Sequence, residues 1–335
     1  MGGLGLTLLF VVIGLVVAAG VVYQLVGVAR DAKRLPPPGK MIDVGGPRLH
    51  VEIAGEGTPP VVFEAGIAAT CLSWRLVQPE VARTTQTVSY DRAGLGWSDR
   101  ARTPRSVWNL VEELRTMLDR AGVVQPRVIA AHSFGGLIAL GYAARYPDEV
   151  AALVLVDPVP ITEWAAPSPA HRTMLGRGIF LAGFGEVLAH LGVVRFALDL
   201  VARGSHRLPK LIARASSGRG GAAFTERMAG EVRKLPREVW PAVQSHWCDP
   251  KCFRSMRNYL QSLPESAAAV LNEARALAVP LVVLSADNST PAQRADHERV
   301  ARLSVHGRLE VVRGGHWIML DRPDIVGSEI LRMLR

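Results

Sequence analysis

The chain has 335 residues, 49% of them hydrophobic, which is too apolar for a disordered polymer and long enough for one or two packed units. Its formal charge is +9, but no nucleic-acid motif accompanies that charge and aromatic residues make up only 6%, so no nucleic-acid partner is expected. Three cysteines leave no disulfide framework to read and fit a reducing compartment.

The first 29 residues carry no charged side chain, and residues 4–28 are almost continuously apolar. About 20 such residues cross a bilayer, so this stretch predicts a transmembrane anchor over 1–29. A signal peptide is the competing reading. Against it, no Lys or Arg precedes the apolar run, the run is too long, and no small-x-small cleavage site ends it. Arg30, Lys33 and Arg34 follow the run, which by the positive-inside rule puts the remainder of the chain on the cytoplasmic side of a single-pass membrane protein. Residues 30–40, with the run Leu35-Pro36-Pro37-Pro38-Gly39, are expected to form a stiff juxtamembrane linker.

From residue 41 onward strands and helices alternate, which predicts a mostly parallel sheet covered on both faces. Residues 61–67 read as a short buried strand entering a glycine turn, with a helix beginning near Trp74. Residues 106–122 and 134–146 read as helices. Between them Val128-Ile129-Ala130-Ala131-His132-Ser133-Phe134-Gly135-Gly136 is a β-branched run that stops at a serine and restarts as helix. A serine on such a turn has its Oγ pushed out above the sheet edge, and the small residues Ala131 and Gly135 let the backbone bend. The competing reading makes Ser133 a helix N-cap. The backbone N–H groups of Phe134 and of Ile67, in the turn after the 61–67 strand, would form an oxyanion hole. Near the end of the chain a strand closes in Gly314-Gly315 before His316, which makes that histidine the candidate general base.

These motifs, in the order Ser133 then His316, resemble the α/β-hydrolase superfamily, in particular its lid-bearing, carboxylesterase-like serine hydrolases, over residues 41–335. Tyr90-Asp91-Arg92-Ala93-Gly94-Leu95-Gly96-Trp97-Ser98 is similar to the family's segment after its fourth strand. Where many relatives have His-Gly at the oxyanion turn, this chain has Ala65-Gly66, so the loop must be held in another way. The resemblance implies an acid after the sixth or the seventh strand. Asp157 is preferred, and Asp287 is the alternative. The acid would accept from the imidazole Nδ1–H and fix its tautomer.

Strand signals vanish over 159–279, which is expected to be a helical lid insertion. Within it, between residues 172 and 219, Arg172, Arg177, Arg195, Arg203, Arg207, Lys210, Arg214 and Arg219 are opposed only by Glu186 and Asp199. Interleaved apolar residues suit either a membrane surface or an acyl pocket, and both favour a lipid-like substrate. His246, Cys248 and Cys252 lack a fourth ligand at usual spacing, so no metal is expected, and no glycine-rich fingerprint suggests a cofactor. The resulting expectation is a membrane-anchored serine esterase. A thioesterase, an amidase or peptidase, an acyltransferase and a non-catalytic ligand sensor are the alternatives.

Overall fold

The computed structural model describes residues 2–203, 230–274 and 276–335. Eight strands, β1 (Lys40–Asp43), β2 (Arg48–Ala54), β3 (Val61–Glu64), β4 (Thr87–Tyr90), β5 (Arg127–His132), β6 (Val150–Val156), β7 (Leu281–Ala286) and β8 (Gly307–Val312), form one sheet in the order 1-2-4-3-5-6-7-8. From β4 across to β8 every pairing is parallel, whereas β2 runs antiparallel to both β1 and β4.

Alternate residues of the central strands feed two separate cores, which is why these strands read as unbroken apolar runs. Ile129, Leu153, Leu155 and Val283 pack on one face with α3 (Val107–Arg120) and α4 (Phe134–Arg145). On the other, Val128, Val154, Val156 and Val282 pack against a 3-10 turn at Cys71–Trp74, α2 (Gln78–Val81), α11 (Ile318–Asp321) and α12 (Pro323–Arg332). The helix expected from Trp74 is thus a single 3-10 turn followed by the short α2, with Pro79 near the latter's start.

Between β6 and β7 the described residues of the insertion are helical: α5 (Ile161–Ala165), α6 (Pro169–His190), α7 (Val193–Ala202), α8 (Trp240–Cys248) and α9 (Pro250–Glu273). After β7, α10 (Pro291–Ala301) leads to β8. Arg207, Lys210, Arg214 and Arg219 lie outside the described residues. Arg195 is not a surface cation: only 2% exposed, it pairs with Asp31. Glu186 is likewise buried, between Arg254 and Arg257.

The N-terminal helix α1 (Gly2–Arg34) is long and apolar enough to cross a membrane, and it runs past the expected boundary at 29. The following segment is bonded to the sheet domain. Trp97 Nε1 donates to the Leu35 carbonyl, and His50 Nε2 meets the Pro38 carbonyl. Both ring nitrogens of His50 face acceptors, the other being Asp91 Oδ2 at 3.0 Å. Although burial opposes it, the Asp91 carboxylate and the Pro38 carbonyl raise the proton affinity of this ring.

Where β5 turns into α4 there is no spare volume. A Cβ on Gly135 would stand 2.7 Å from the Ala65 carbonyl oxygen and 2.8 Å from that of Glu64. Gly135→Ala is therefore expected to destabilise the fold by about 1–3 kcal/mol, read as a lowered urea midpoint.

Candidate active site

Four chain segments converge at the carboxyl ends of the parallel strands, on both sides of the point where the strand order reverses between β3 and β5. Ser133 follows β5 and stands before α4 with φ 52° and ψ −118°, a backbone region that residues with a Cβ rarely enter. The turn is fixed on two sides: the Ser133 amide donates to Val156 O at 3.0 Å, and its carbonyl accepts from Val159 at 3.2 Å. Its side chain makes no capping bond to α4. Instead Oγ lies 3.0 Å from His316 Nε2.

His316 comes from the turn after β8, and its Nδ1 stands 2.6 Å from Asp157 Oδ2. Asp157 follows β6 at φ 42°, a conformation that aspartate tolerates better than most residues. Its other oxygen accepts from the Ala286 amide at 3.0 Å and from Ser289 Oγ at 3.2 Å. Burial works against ionisation here, but the His316 ring and the Ala286 amide outweigh it and hold the carboxyl below its ordinary value.

Asp287 is not the carboxylate on the ring. It is exposed one residue beyond β7, and its Oδ1 accepts from the Gly314 amide at 3.2 Å, so it braces the turn leading to His316.

The Ile67 and Phe134 amides have no hydrogen-bond acceptor among the described residues. A Cβ on Gly66 would come within 3.5 Å of Ser133 Cβ, which puts the turn bearing Ile67 directly beside the serine. What holds this turn is Arg92, which the sequence reading passed over. Its guanidinium donates to the Ala65 carbonyl at 2.6 Å and to the Gly66 carbonyl, and it pairs with Glu64 at the end of β3. Glu64 also accepts from Tyr90 Oη and is fully buried. Burial pushes its carboxyl above the ordinary value, with Arg92 pulling the other way. The Arg92 fork thus fixes the Ala65-Gly66 turn against the end of β3. From α9, Tyr259 packs its ring 5.1 Å from that guanidinium and 5.2 Å from the Phe134 ring.

His132, just before the serine, is also a site residue that the motif did not reveal. Its Nε2 donates to the His316 carbonyl at 2.9 Å, and the two rings lie 4.7 Å apart. Burial, together with the neighbouring His316, lowers its proton affinity to about 3, so the ring is neutral.

Beside His316 opens a cavity of about 240 Å³, walled by Ile67, Leu72, Val243, Trp247, Met256 and Leu320 among others. Its ionisable lining residues are Glu231, His246, Cys252 and His316, with no Lys or Arg among the described residues. His246 packs edge-on against Trp97, and burial pulls its proton affinity down to about 4. Farther in, His50, Cys71 and Asp91 cluster within 4.8 Å. Their contacts are mutual, since Asp91 takes the Cys71 amide as well as the His50 ring, and burial pushes the Cys71 thiol up.

The chain is 28% identical over 296 residues to the 2-hydroxymuconate semialdehyde hydrolase of a Pseudomonas species, covering 85% of this chain and 90% of that protein. To a cis-3-alkyl-4-alkyloxetan-2-one decarboxylase of Shewanella oneidensis it is 27% identical over 188 residues, 52% of this chain and only 58% of that one. Among solved structures, a thermophilic esterase from Thermogutta terrifontis superposes with a TM-score of 0.62 at 18% identity, over 88% of this chain and 96% of the esterase. The family model for the alpha/beta hydrolase fold matches residues 59–323. That span runs from just before β3 to the start of α12 and takes in Ile67, Ser133, Asp157 and His316, and on it the chain belongs to the α/β-hydrolase family.

Proposed function

We propose that this protein is a membrane-anchored serine hydrolase that cleaves apolar carboxylic esters through an acyl-enzyme. One observation carries the reading: Ser133 Oγ, His316 and Asp157 form an unbroken hydrogen-bonded line, at 3.0 and 2.6 Å, from three separate strand ends. His316 Nε2 takes the Ser133 proton as Oγ attacks the acyl carbon, then delivers it to the leaving alcohol. Asp157 keeps the other ring proton on Nδ1 and stabilises the imidazolium. The Ile67 and Phe134 amides receive the charge that develops on the carbonyl oxygen. Water, activated by the same imidazole, then releases the acid.

Substrate class follows from the cavity. Its aliphatic and aromatic walls accept an acyl or alkyl chain, and its described lining offers no cation to a substrate carboxylate. The helical insertion that supplies Val243, Trp247 and Met256 acts as a lid on this reading. The apolar α1 anchors the enzyme, and Arg30, Lys33 and Arg34 at its inner flank put the hydrolase on the cytoplasmic side.

A neutral His132 serves the same chemistry, because a second cation 4.7 Å away would oppose the imidazolium at His316.

Ser133→Ala is expected to lower kcat on p-nitrophenyl esters by roughly 10⁴-fold or more and to abolish labelling by a fluorophosphonate. Full activity in that variant would end the proposal. Arg92→Lys keeps the charge opposite Glu64 but loses the fork, and it should lower kcat by about 10²-fold with KM little changed; a merely structural role would instead reduce the folded fraction at unchanged kcat per active site. For His132 the unfolded state binds a proton near pH 6.5 and the folded state only near 3, so its stability contribution is intact above about pH 6.5 and is lost as the pH falls towards 3. The urea midpoint should accordingly drop between about pH 7.5 and pH 5, and drop less in His132→Gln.

A further inference from the structure

The flank that α1 turns to the rest of the protein is built from Gly20, Gln24, Gly27 and Asp31, spaced so that they share one side of the helix. A Cβ on Gly20 would strike the Leu191 carbonyl, and one on Gly27 would strike the Arg195 guanidinium. Gln24, the amide in this apolar run, is 3% exposed. It donates to Cys248 O at 2.8 Å and accepts from Arg195 Nε at 3.0 Å, while Arg195 reaches on to Asp31 and Tyr23 Oη donates to Asp199. From Gly20 onward α1 is therefore fastened to α7 and α8 of the insertion by polar contacts, those of Gln24 buried.

Its opposite flank stays bare at the same height. Val22, Leu25 and Val26 are 57%, 64% and 61% exposed, continuing the uncovered apolar surface of residues 4–19, which rises about 24 Å. A bilayer that covers α1 as far as Val26 must then lie level with the part of the insertion fastened to the helix's other side.

That part of the insertion is apolar on its outside. Phe180, Phe184 and Val187 stand exposed at helical spacing along α6, the two phenyl rings parallel, and Leu191 ends the row against Gly20. There α6 gives way to α7 with an 82° bend at Gly192, whose own Cβ position would meet Gly20 O, and Phe196 is exposed just beyond. Arg172 and Arg177 are exposed in the first turns of α6. An apolar row that starts at the anchor and runs back towards basic residues has the composition of a helix lying in a lipid interface.

We propose that the outer face of α6 and the α6–α7 bend is a second membrane-contact surface, in which Phe180, Phe184, Val187 and Phe196 insert among lipid acyl chains beside α1. The inference rests on the proposed bilayer anchoring of α1. It adds that the hydrolase is seated on the membrane rather than tethered above it. The helix α8 that receives Gln24 through Cys248 also lines the cavity with Val243, His246 and Trp247, so the seat fixes the substrate cavity relative to the lipid.

The three native cysteines are buried, which leaves single introduced cysteines free to be labelled selectively. The full chain carrying Val12→Cys, Phe184→Cys, Phe196→Cys or Val305→Cys would be spin-labelled in vesicles of phosphatidylcholine with phosphatidylglycerol. Collisional relaxation by dissolved oxygen would then be compared with that by an aqueous nickel chelate. Val305, 87% exposed on the sheet domain, is the water reference. Oxygen is expected to dominate at positions 12, 184 and 196 and nickel at 305. Nickel dominance at 184 and 196 with oxygen dominance at 12 overturns the seat and leaves the anchor standing. Shielding of 184 and 196 from both reagents overturns it as well, since protein would then be the cover. Nickel dominance at 12 would remove the anchor itself.

Discussion

The positive φ of Ser133 is the constraint to which the surrounding structure answers. A residue bearing a Cβ at φ 52° needs a backbone tied down on both sides, and here the ties run to Val156 and Val159, the strand end and loop that also carry Asp157. The small residue two positions later is equally forced, because the carbonyls of β3 and its turn occupy the room a Cβ at Gly135 would need. The serine, the carboxylate and the turn bearing Ile67 are thus bound to each other through the parallel pairing of β3, β5 and β6, and only His316 arrives from farther along the chain.

Charge is distributed in a way the net figure hides. Arg92, Arg105, Arg127 and Arg195 are each at most 3% exposed, and each is matched by acids: Glu64, Glu113, Glu149 with Asp119, and Asp31. Breaking one such buried pair leaves the other charge stranded, typically at a cost of about 3–5 kcal/mol, whereas replacing both by apolar groups is often tolerated. Two of these pairs sit where position matters more than stability, Arg92 at the turn beside the serine and Arg195 at the junction with α1. Part of the chain's basic charge is therefore internal wiring rather than surface.

What could be read from the chain was local. A β-branched run broken by Ser133, and a Gly-Gly turn before His316, announce themselves within about ten residues. Asp157 was harder, because an aspartate before proline is also an ordinary turn former; its partner ring comes from 159 residues away, and only the β6–β7–β8 register aligns them. Glu64, a charge ending the otherwise apolar β3, and Arg92, two residues beyond β4, left a faint signal, but the clamp exists only because β3 and β4 are neighbours. Gln24 was similar: one amide inside an uncharged stretch reads as a blemish in a membrane span until Arg195 and Cys248 are seen around it. The proline-rich segment after α1 suggested a spacer, since neither His50 nor Trp97 advertises in sequence that it will bind the Leu35 and Pro38 carbonyls.

The bonding of Gln24 and Asp31 to the insertion also bears on how such an enzyme is handled. Cutting away α1 would uncover Leu191, leave the Arg195 guanidinium facing a vacant trough, and deprive the Cys248 carbonyl at the end of α8 of its donor. Selectivity measured on a truncated preparation would then report a cavity wall that has lost its backing, and substrate preferences would need to be taken from the intact polypeptide.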